Sequence, residues 1–265
     1  MGYKYTRIIN YNLLILILKN IHNLITSVYR LLFATLLLFA LTSSAQETQR
    51  ESFDILEHSI HLPNSFKDWK YQQALGFALV YLPKDWLESA YSLPMIYYKS
   101  NFSLKKGFMV NTDIRSVIAA SDIALGPSWN VDLSKKLFLG LGYQTSFGVG
   151  MLYDLGYDNT LTVWGHRPFF KLGYIWHNLT FTMKGGVDFS NSINFEAGST
   201  SLSGNIESLN GYHLSLFMEQ RMFKNKSFSV GYTSNFMKFH ILGWPAFNYT
   251  KNLYYVPELT TLFNF

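Results

Sequence analysis

From about residue 72 to the end of the chain, apolar and polar residues alternate one by one. In Ser227–Phe236 one set reads Phe228, Val230, Tyr232, Ser234, Phe236, and the other Ser227, Ser229, Gly231, Thr233, Asn235. In Leu253–Phe265 the odd positions are Leu253, Tyr255, Pro257, Leu259, Thr261, Phe263 and Phe265, and the even ones include Glu258, Thr260 and Asn264. Such period-two alternation marks a β-strand whose two faces meet different environments. The same pattern predicts eight earlier strands: Gln72–Tyr81, Pro94–Leu104, Phe108–Ser116, Asp122–Leu133, Leu137–Val149, Arg167–Trp176, Leu179–Phe189 and Tyr212–Phe223. The connections after the second, fourth, sixth and eighth strands are short and rich in Lys and Asn. Those after the first, fifth, seventh and ninth are longer.

Ten strands with short turns at one end and long loops at the other suit a closed antiparallel transmembrane β-barrel with both termini in the periplasm. A count of eight or twelve follows if the first strand or a loop is misread. Closure has a physical reason: an unpaired backbone group in lipid costs several kcal/mol, so only a sheet without edges survives there. Pro127 and Pro257 fall inside strands and cannot donate to a ladder, so each predicts a bulge or a position near a rim.

Composition sharpens this reading. The 265 residues hold 17% aromatics against 15% charged residues, an excess that suits interface girdles. The absence of cysteine excludes disulfides, thiolate metal sites and cysteine nucleophiles. At the N-terminus, Arg30 precedes the apolar run Leu31–Leu41 and then Thr42-Ser43-Ser44-Ala45, the pattern of an export signal. A run this short does not span a bilayer as a helix, which needs about 20 residues. The expected division is a leader over 1–45, a periplasmic lead-in over 46–70 with a short helix near Phe53–Ile60, and the barrel over 71–265. A second apolar run, Leu13–Leu18, makes the leader long; a start further in, near Val28, and an uncleaved anchor are the alternatives. Of the 22 basic residues, Lys4, Arg7, Lys19 and Arg30 lie in the leader with no acid, leaving 18 bases against 17 acids. The net charge of +5 thus belongs largely to the leader, and a nucleic-acid partner is not expected.

The alternating last strand and its terminal Asn264-Phe265 resemble the general family of Gram-negative outer-membrane barrels, over roughly Gln72–Phe265 plus the leader. The resemblance implies residence in the outer membrane, contact with its lipid, and barrel-assembly machinery as a partner, with Phe263 and Phe265 as the assembly signal.

Charged residues at inward positions are Lys99, Arg115, Lys171, Lys184 and Arg221 against Asp113, Asp122, Asp132, Asp188, Glu219 and Glu258. A selective pore usually shows an excess of one sign, whereas near balance suits a lumen crossed by ion pairs. Glu219 and Arg221, two apart on one face, are the expected anchor pair. Inward Gly140, Gly142 and Gly148 leave room for a narrow water path or a ligand groove.

Catalytic constellations are sparse. Omptin-type proteases resemble this chain in strand number, but it contains no Asp-x-Asp and no Asp-x-His; the nearest set is Asp154, Asp158 and His166 around the loop after the fifth strand. A histidine oriented by a carboxylate can activate water, yet a loop histidine is more often simply solvated. Ser234 and His240, near Tyr232-Thr233-Ser234-Asn235, resemble fragments of the lipid-A deacylase and outer-membrane phospholipase pattern. The histidine expected just before that serine is missing. Glu57, His58 and His61 have near-helical spacing for a metal, but without further ligands a solvated face is the commoner outcome. No metal and no cofactor is expected. Two functions remain in view: a structural or small-solute transport barrel with a lumen filled by ion pairs, and a surface-binding or adhesion barrel. The second would act through Ser190–Gly211 and the aromatic stretch Trp244–Tyr249. A lipid-modifying hydrolase ranks last.

Overall fold

The computed structural model describes residues 55–66, 69–83, 91–154, 157–197, 200–204, 209–223, 226–246 and 251–265. The expected leader lies outside them. No helix among these residues is long and apolar enough to cross a membrane. The chain is built instead from strands β1 (Lys70–Leu82), β2 (Tyr91–Lys105), β3 (Phe108–Val117), β4 (Ala120–Asp132), β5 (Leu137–Asp154), β6 (Tyr157–Trp176), β7 (Leu179–Ala197), β8 (Thr200–Gly204), β9 (Leu209–Phe223), β10 (Lys226–Met237) and β11 (Tyr254–Asn264). A four-residue helix, α1 (Ile55–His58), precedes them, and a 3-10 helix, Ile241–Ala246, lies between β10 and β11.

Each strand pairs antiparallel with its neighbours in sequence, except that β8 hangs on the far end of β7 and β9 takes the next place in the wall. Pairing of β1 with β11, from Ala74↔Asn264 to Val80↔Glu258, closes a ten-strand barrel. Every expected strand is present at its expected place. The turns are tight: Lys106 and Gly107 both have positive φ (53° and 81°), as the hairpin geometry between β2 and β3 requires. A Cβ on Gly107 would also stand 2.1 Å from the Asn130 carbonyl oxygen. Pro257 sits one residue beyond the last β1–β11 pair, at the edge of that ladder. Pro127 interrupts the β4–β5 ladder without shifting its register.

The outer face carries exposed Leu75, Phe77, Ile96, Leu125, Leu141, Leu172, Leu214 and Leu216. Aromatics flank this band on both sides: Trp69, Phe102, Phe108, Trp129 and Trp176 towards the tight turns, and Tyr81, Trp164, Tyr212 and Tyr255 towards the long connections. We call these the turn end and the loop end.

The wall is lopsided. β5, β6 and β7 run 18, 20 and 19 residues, against 10 for β3. At about 3.3 Å per residue the long strands reach roughly 60 Å, which overshoots an apolar band of about 25 Å even when tilted by 45°. The segments expected as loops after the fifth and seventh strands are therefore mostly strand. Their polarity is inverted, which is why they read as loops. On β6, Leu161 and Val163 are buried inside, while Thr160 and Thr162 are turned outward; on β7, Ile193 is buried while Asn194 and Glu196 are exposed. Beyond the band the outside meets water and the inside meets protein, so the alternation continues with its sides exchanged.

A polar layer between two plugs

Residues 55–66, expected as a lead-in, are seated inside the turn end. Ile60 packs with Ala74, Tyr97 and Leu262, and Leu62 with Ile55, Phe138 and Ile175. Wall side chains grip the backbone of this segment. Asn101 Nδ2 donates to the Ile60 carbonyl at 2.7 Å, Gln72 Nε2 to those of Glu57 and Ser59 at 2.9 and 3.0 Å, and Ser227 Oγ to that of His58 at 2.6 Å. Asn264 Nδ2 donates to the same His58 carbonyl. The Glu219 carboxylate accepts from the backbone N–H of Ile60 (2.8 Å) and of His61 (3.1 Å), from Thr180 Oγ1 (3.3 Å), and from Ser59 Oγ. The expected Glu219–Arg221 pair is thus replaced by a clamp on the plug. Two buried N–H groups and two hydroxyls converge on this carboxylate in charge-assisted hydrogen bonds. Asp132 is likewise not in the interior: it is exposed on the turn-end rim and accepts from Ser65 N (2.9 Å) and Ser65 Oγ (2.6 Å).

The loop end has its own plug. Residues 238–246 fold inward, and Phe239, Ile241 and Leu242 join a buried cluster with Val80, Leu82, Met95, Leu161, Val163, Ile193 and Val256. His240 is buried there, its Nδ1 accepting from Gly243 N at 3.2 Å. Burial pushes its imidazole down to about 4, because a charged ring in that apolar setting would lose its hydration.

Between the plugs lies a charged layer. Asp113 accepts from Lys99 Nζ (2.7 Å), Tyr97 OH (2.7 Å) and Gln144 Nε2 (2.8 Å), with Lys184 Nζ at 3.9 Å. Arg167 grips Asp122 through both terminal nitrogens (2.7 and 3.1 Å), and its Nε meets Asp188 at 2.9 Å. His213 Nδ1 is 3.0 Å from the other Asp188 oxygen. Arg115 reaches Glu258 at 3.4 Å, which also accepts from Thr260 Oγ1 at 3.0 Å. Lys171 donates to Asn111 Oδ1 at 3.4 Å. Arg221 is half-buried at the turn-end part of β9. Side chains of this layer and of both plugs line a partly open cavity of about 70 Å³.

Arg167, Tyr97 and His213 escaped the sequence reading. Arg167 stands four residues before Lys171 on the same inward row, at the first position of the expected strand Arg167–Trp176.

The glycines do not make a groove. A Cβ on Gly140 would meet Pro63 at 2.7 Å, one on Gly148 would meet Ile241 at 2.7 Å, and one on Gly142 would meet the Phe169 ring at 2.2 Å. Their space is taken by the two plugs and by an inward aromatic.

The catalytic candidates are not assembled. Ser234 is on the outward row of β10, whereas His240 is buried inside the barrel mouth, so the wall separates them. His166 is on the outer face of β6, stacked on Tyr143 and bonded to Asn191 (2.7 Å). Asp158 is eight residues up the same strand, about 26 Å at 3.3 Å per residue, and Asp154 pairs near the hairpin tip beside it. The side chains of Asp154 and Asp158, and those of Trp244–Tyr249, lie outside the described residues. In the plug, Glu57 pairs with Lys70 (3.3 Å), and His61 stacks on Phe217 with ring centroids 3.7 Å apart. Neither helps His58 toward a metal site, and no group of three ligands occurs among the described residues. Phe263 packs on Phe228 (4.9 Å between centroids), and Phe265 is exposed, its N–H bonded to the Gln73 carbonyl at 3.2 Å.

No family model and no curated protein matches the chain. Among solved structures it is similar to the toluene transporter TbuX of Ralstonia pickettii, at 10% sequence identity and a TM-score of 0.35, covering 82% of this chain and 77% of that one. A likeness this remote carries no function.

Proposed function

We propose that this chain is a Gram-negative outer-membrane β-barrel of the small-solute transport type, closed at rest by two internal plugs, with both termini on the periplasmic side. The outward apolar band with its two aromatic girdles supports the membrane setting. Phe263 and Phe265, exposed on the closing strand, serve as the signal for the assembly machinery. The observation that carries the transport reading is the difference between the plugs. The turn-end segment is fastened by hydrogen bonds between its backbone and seven side chains of the wall, Gln72, Asn101, Asn130, Asp132, Glu219, Ser227 and Asn264. Among the described residues, the loop-end segment is seated by the apolar side chains of Phe239, Ile241 and Leu242, together with two bonds to Asn210, whose carbonyl accepts from Lys238 N (2.8 Å) and whose Nδ2 donates to the Phe239 carbonyl (3.1 Å).

Planar-bilayer recording on the folded chain tests this. The unaltered protein should be closed or open only briefly, and a variant carrying Ile241→Ser and Leu242→Ser should show discrete, reproducible openings. A steady large conductance in the unaltered protein would overturn the plugged state. A silent variant with an intact barrel would leave a purely structural role.

A further inference from the structure

The chamber between the plugs is lined by charged side chains that are unequally satisfied. Its lining includes four cations, Lys99, Arg115, Arg167 and Lys184, against three carboxylates, Asp113, Asp122 and Asp188. The carboxylates are saturated. Asp113 has three close donors, Asp122 holds both arms of Arg167, and Asp188 holds Arg167 Nε and His213. Two of the cations are not. Lys184 Nζ makes no hydrogen bond to a described residue; its nearest carboxylate oxygen is 3.9 Å away, and it lies over the Phe169 ring at 4.8 Å. Arg115 makes one long bond of 3.4 Å to Glu258, and its Nε has no partner. Both side chains are half-buried, with 13% of Lys184 and 26% of Arg115 exposed, and Arg115 also lies over the Tyr97 ring at 5.0 Å; cations held this way leave donors for a negative group to complete.

We propose that the chamber binds a small monoanion, of the carboxylate class, between Lys184 and Arg115. The two cations with incomplete shells set the sign of the ligand's charge. The volume sets its size: at about 10–15 Å³ of such space per water, 70 Å³ takes roughly five waters, or an oxyanion of four or five heavy atoms. The planar fork of Arg115 suits a carboxylate's two oxygens, and Lys184 serves as a point charge beside it. Phe217 and Phe239 in the same lining leave the methyl or hydrogen end of such an ion in apolar company. This deepens the transport reading by naming a solute class, and it rests on that reading only for the path to the chamber. Binding is read on the detergent-folded protein and conduction in a bilayer, so each can fail alone.

The test is a thermal melt of the full folded chain at pH 7, titrated with sodium acetate at ionic strength held constant by sodium gluconate, whose anion is too large for the chamber. The melting temperature should rise saturably with acetate. The rise should vanish in Lys184→Gln and in Arg115→Gln, and persist in Lys135→Gln on the exposed turn-end rim. Should the glutamine variants not fold, Arg115→Lys keeps the charge without the fork. It should weaken acetate by roughly tenfold or more, the weight of one charge-assisted hydrogen bond. No saturable rise in the unaltered protein, or an unchanged acetate response in the folded variants, overturns the proposal.

Discussion

Replacing Glu219 by glutamine is the most direct way to loosen the turn-end plug without altering its shape. The carboxylate accepts from Ile60 N on one oxygen, and from His61 N, Thr180 Oγ1 and Ser59 Oγ on the other. Glutamine can present an oxygen to only one side. Its amide NH₂ then faces either the Ile60 or the His61 N–H, leaving a buried donor unpaired, and the remaining bonds lose their ionic character. A hydrogen bond to a charged group is worth about 1.5–3 kcal/mol, and an orphaned buried donor costs about 1–3 kcal/mol. The loss of carboxylate desolvation offsets part of this, so the net weakening is about 3 kcal/mol. That corresponds to an opening population raised by roughly a hundredfold. Amide hydrogen exchange over residues 55–66 reads it directly. Ile60 and His61 should exchange about a hundred times faster, while amides in the β4–β5 ladder keep their protection. Unchanged exchange at Ile60 and His61 would refute the clamp, and loss of protection throughout the wall would show that Glu219 holds the barrel rather than the plug.

Acid should loosen the other plug. His240 takes a proton near pH 6.5 when released but only near 4 when seated, so its contribution is complete above 6.5 and is lost as the pH falls toward 4. The loss reaches about 2–3 kcal/mol by pH 4.5, and urea titrations at pH 7 and 4.5 should show it shrinking in His240→Asn; an equal acid loss in that variant would exclude the histidine. Gly142→Val drives a side chain into the Phe169 ring, whose nearest atom is 2.2 Å from the added Cβ; a destabilisation of about 1–3 kcal/mol is expected in urea unfolding, relieved by Phe169→Ala in the same chain. Asp122→Asn breaks a two-armed ion pair whose acid is buried, which should cost about 3–5 kcal/mol in the same assay. Phe265→Ala should slow insertion in cells, read as the folded fraction in the membrane, with little effect on the melting temperature of purified barrel because the ring is exposed.

The chain by itself determined the wall. The ten strands of the wall, their neighbour order and most of the inward row, Asp132 and Arg167 excepted, were readable, because alternation is a local property and a pleated strand exposes its two faces residue by residue. The membrane made those faces chemically unlike, so Phe228, Val230 and Tyr232 on one side and Ser227, Ser229 and Thr233 on the other left little ambiguity. Where the outside changes from lipid to water, as at Leu161, Val163 and Ile193, the same local rule gives an inverted pattern, which by itself resembles a loop. What fills the lumen was decided only by the tertiary structure. Nothing local distinguishes a glycine that opens a groove from one that admits Pro63 or Ile241. Nor does an inward glutamate declare whether it will meet Arg221 two residues away or the backbone of Ile60, 159 positions earlier. Both outcomes satisfy the same buried carboxylate, and the choice between them depends on which distant segment reaches the lumen once the barrel has closed.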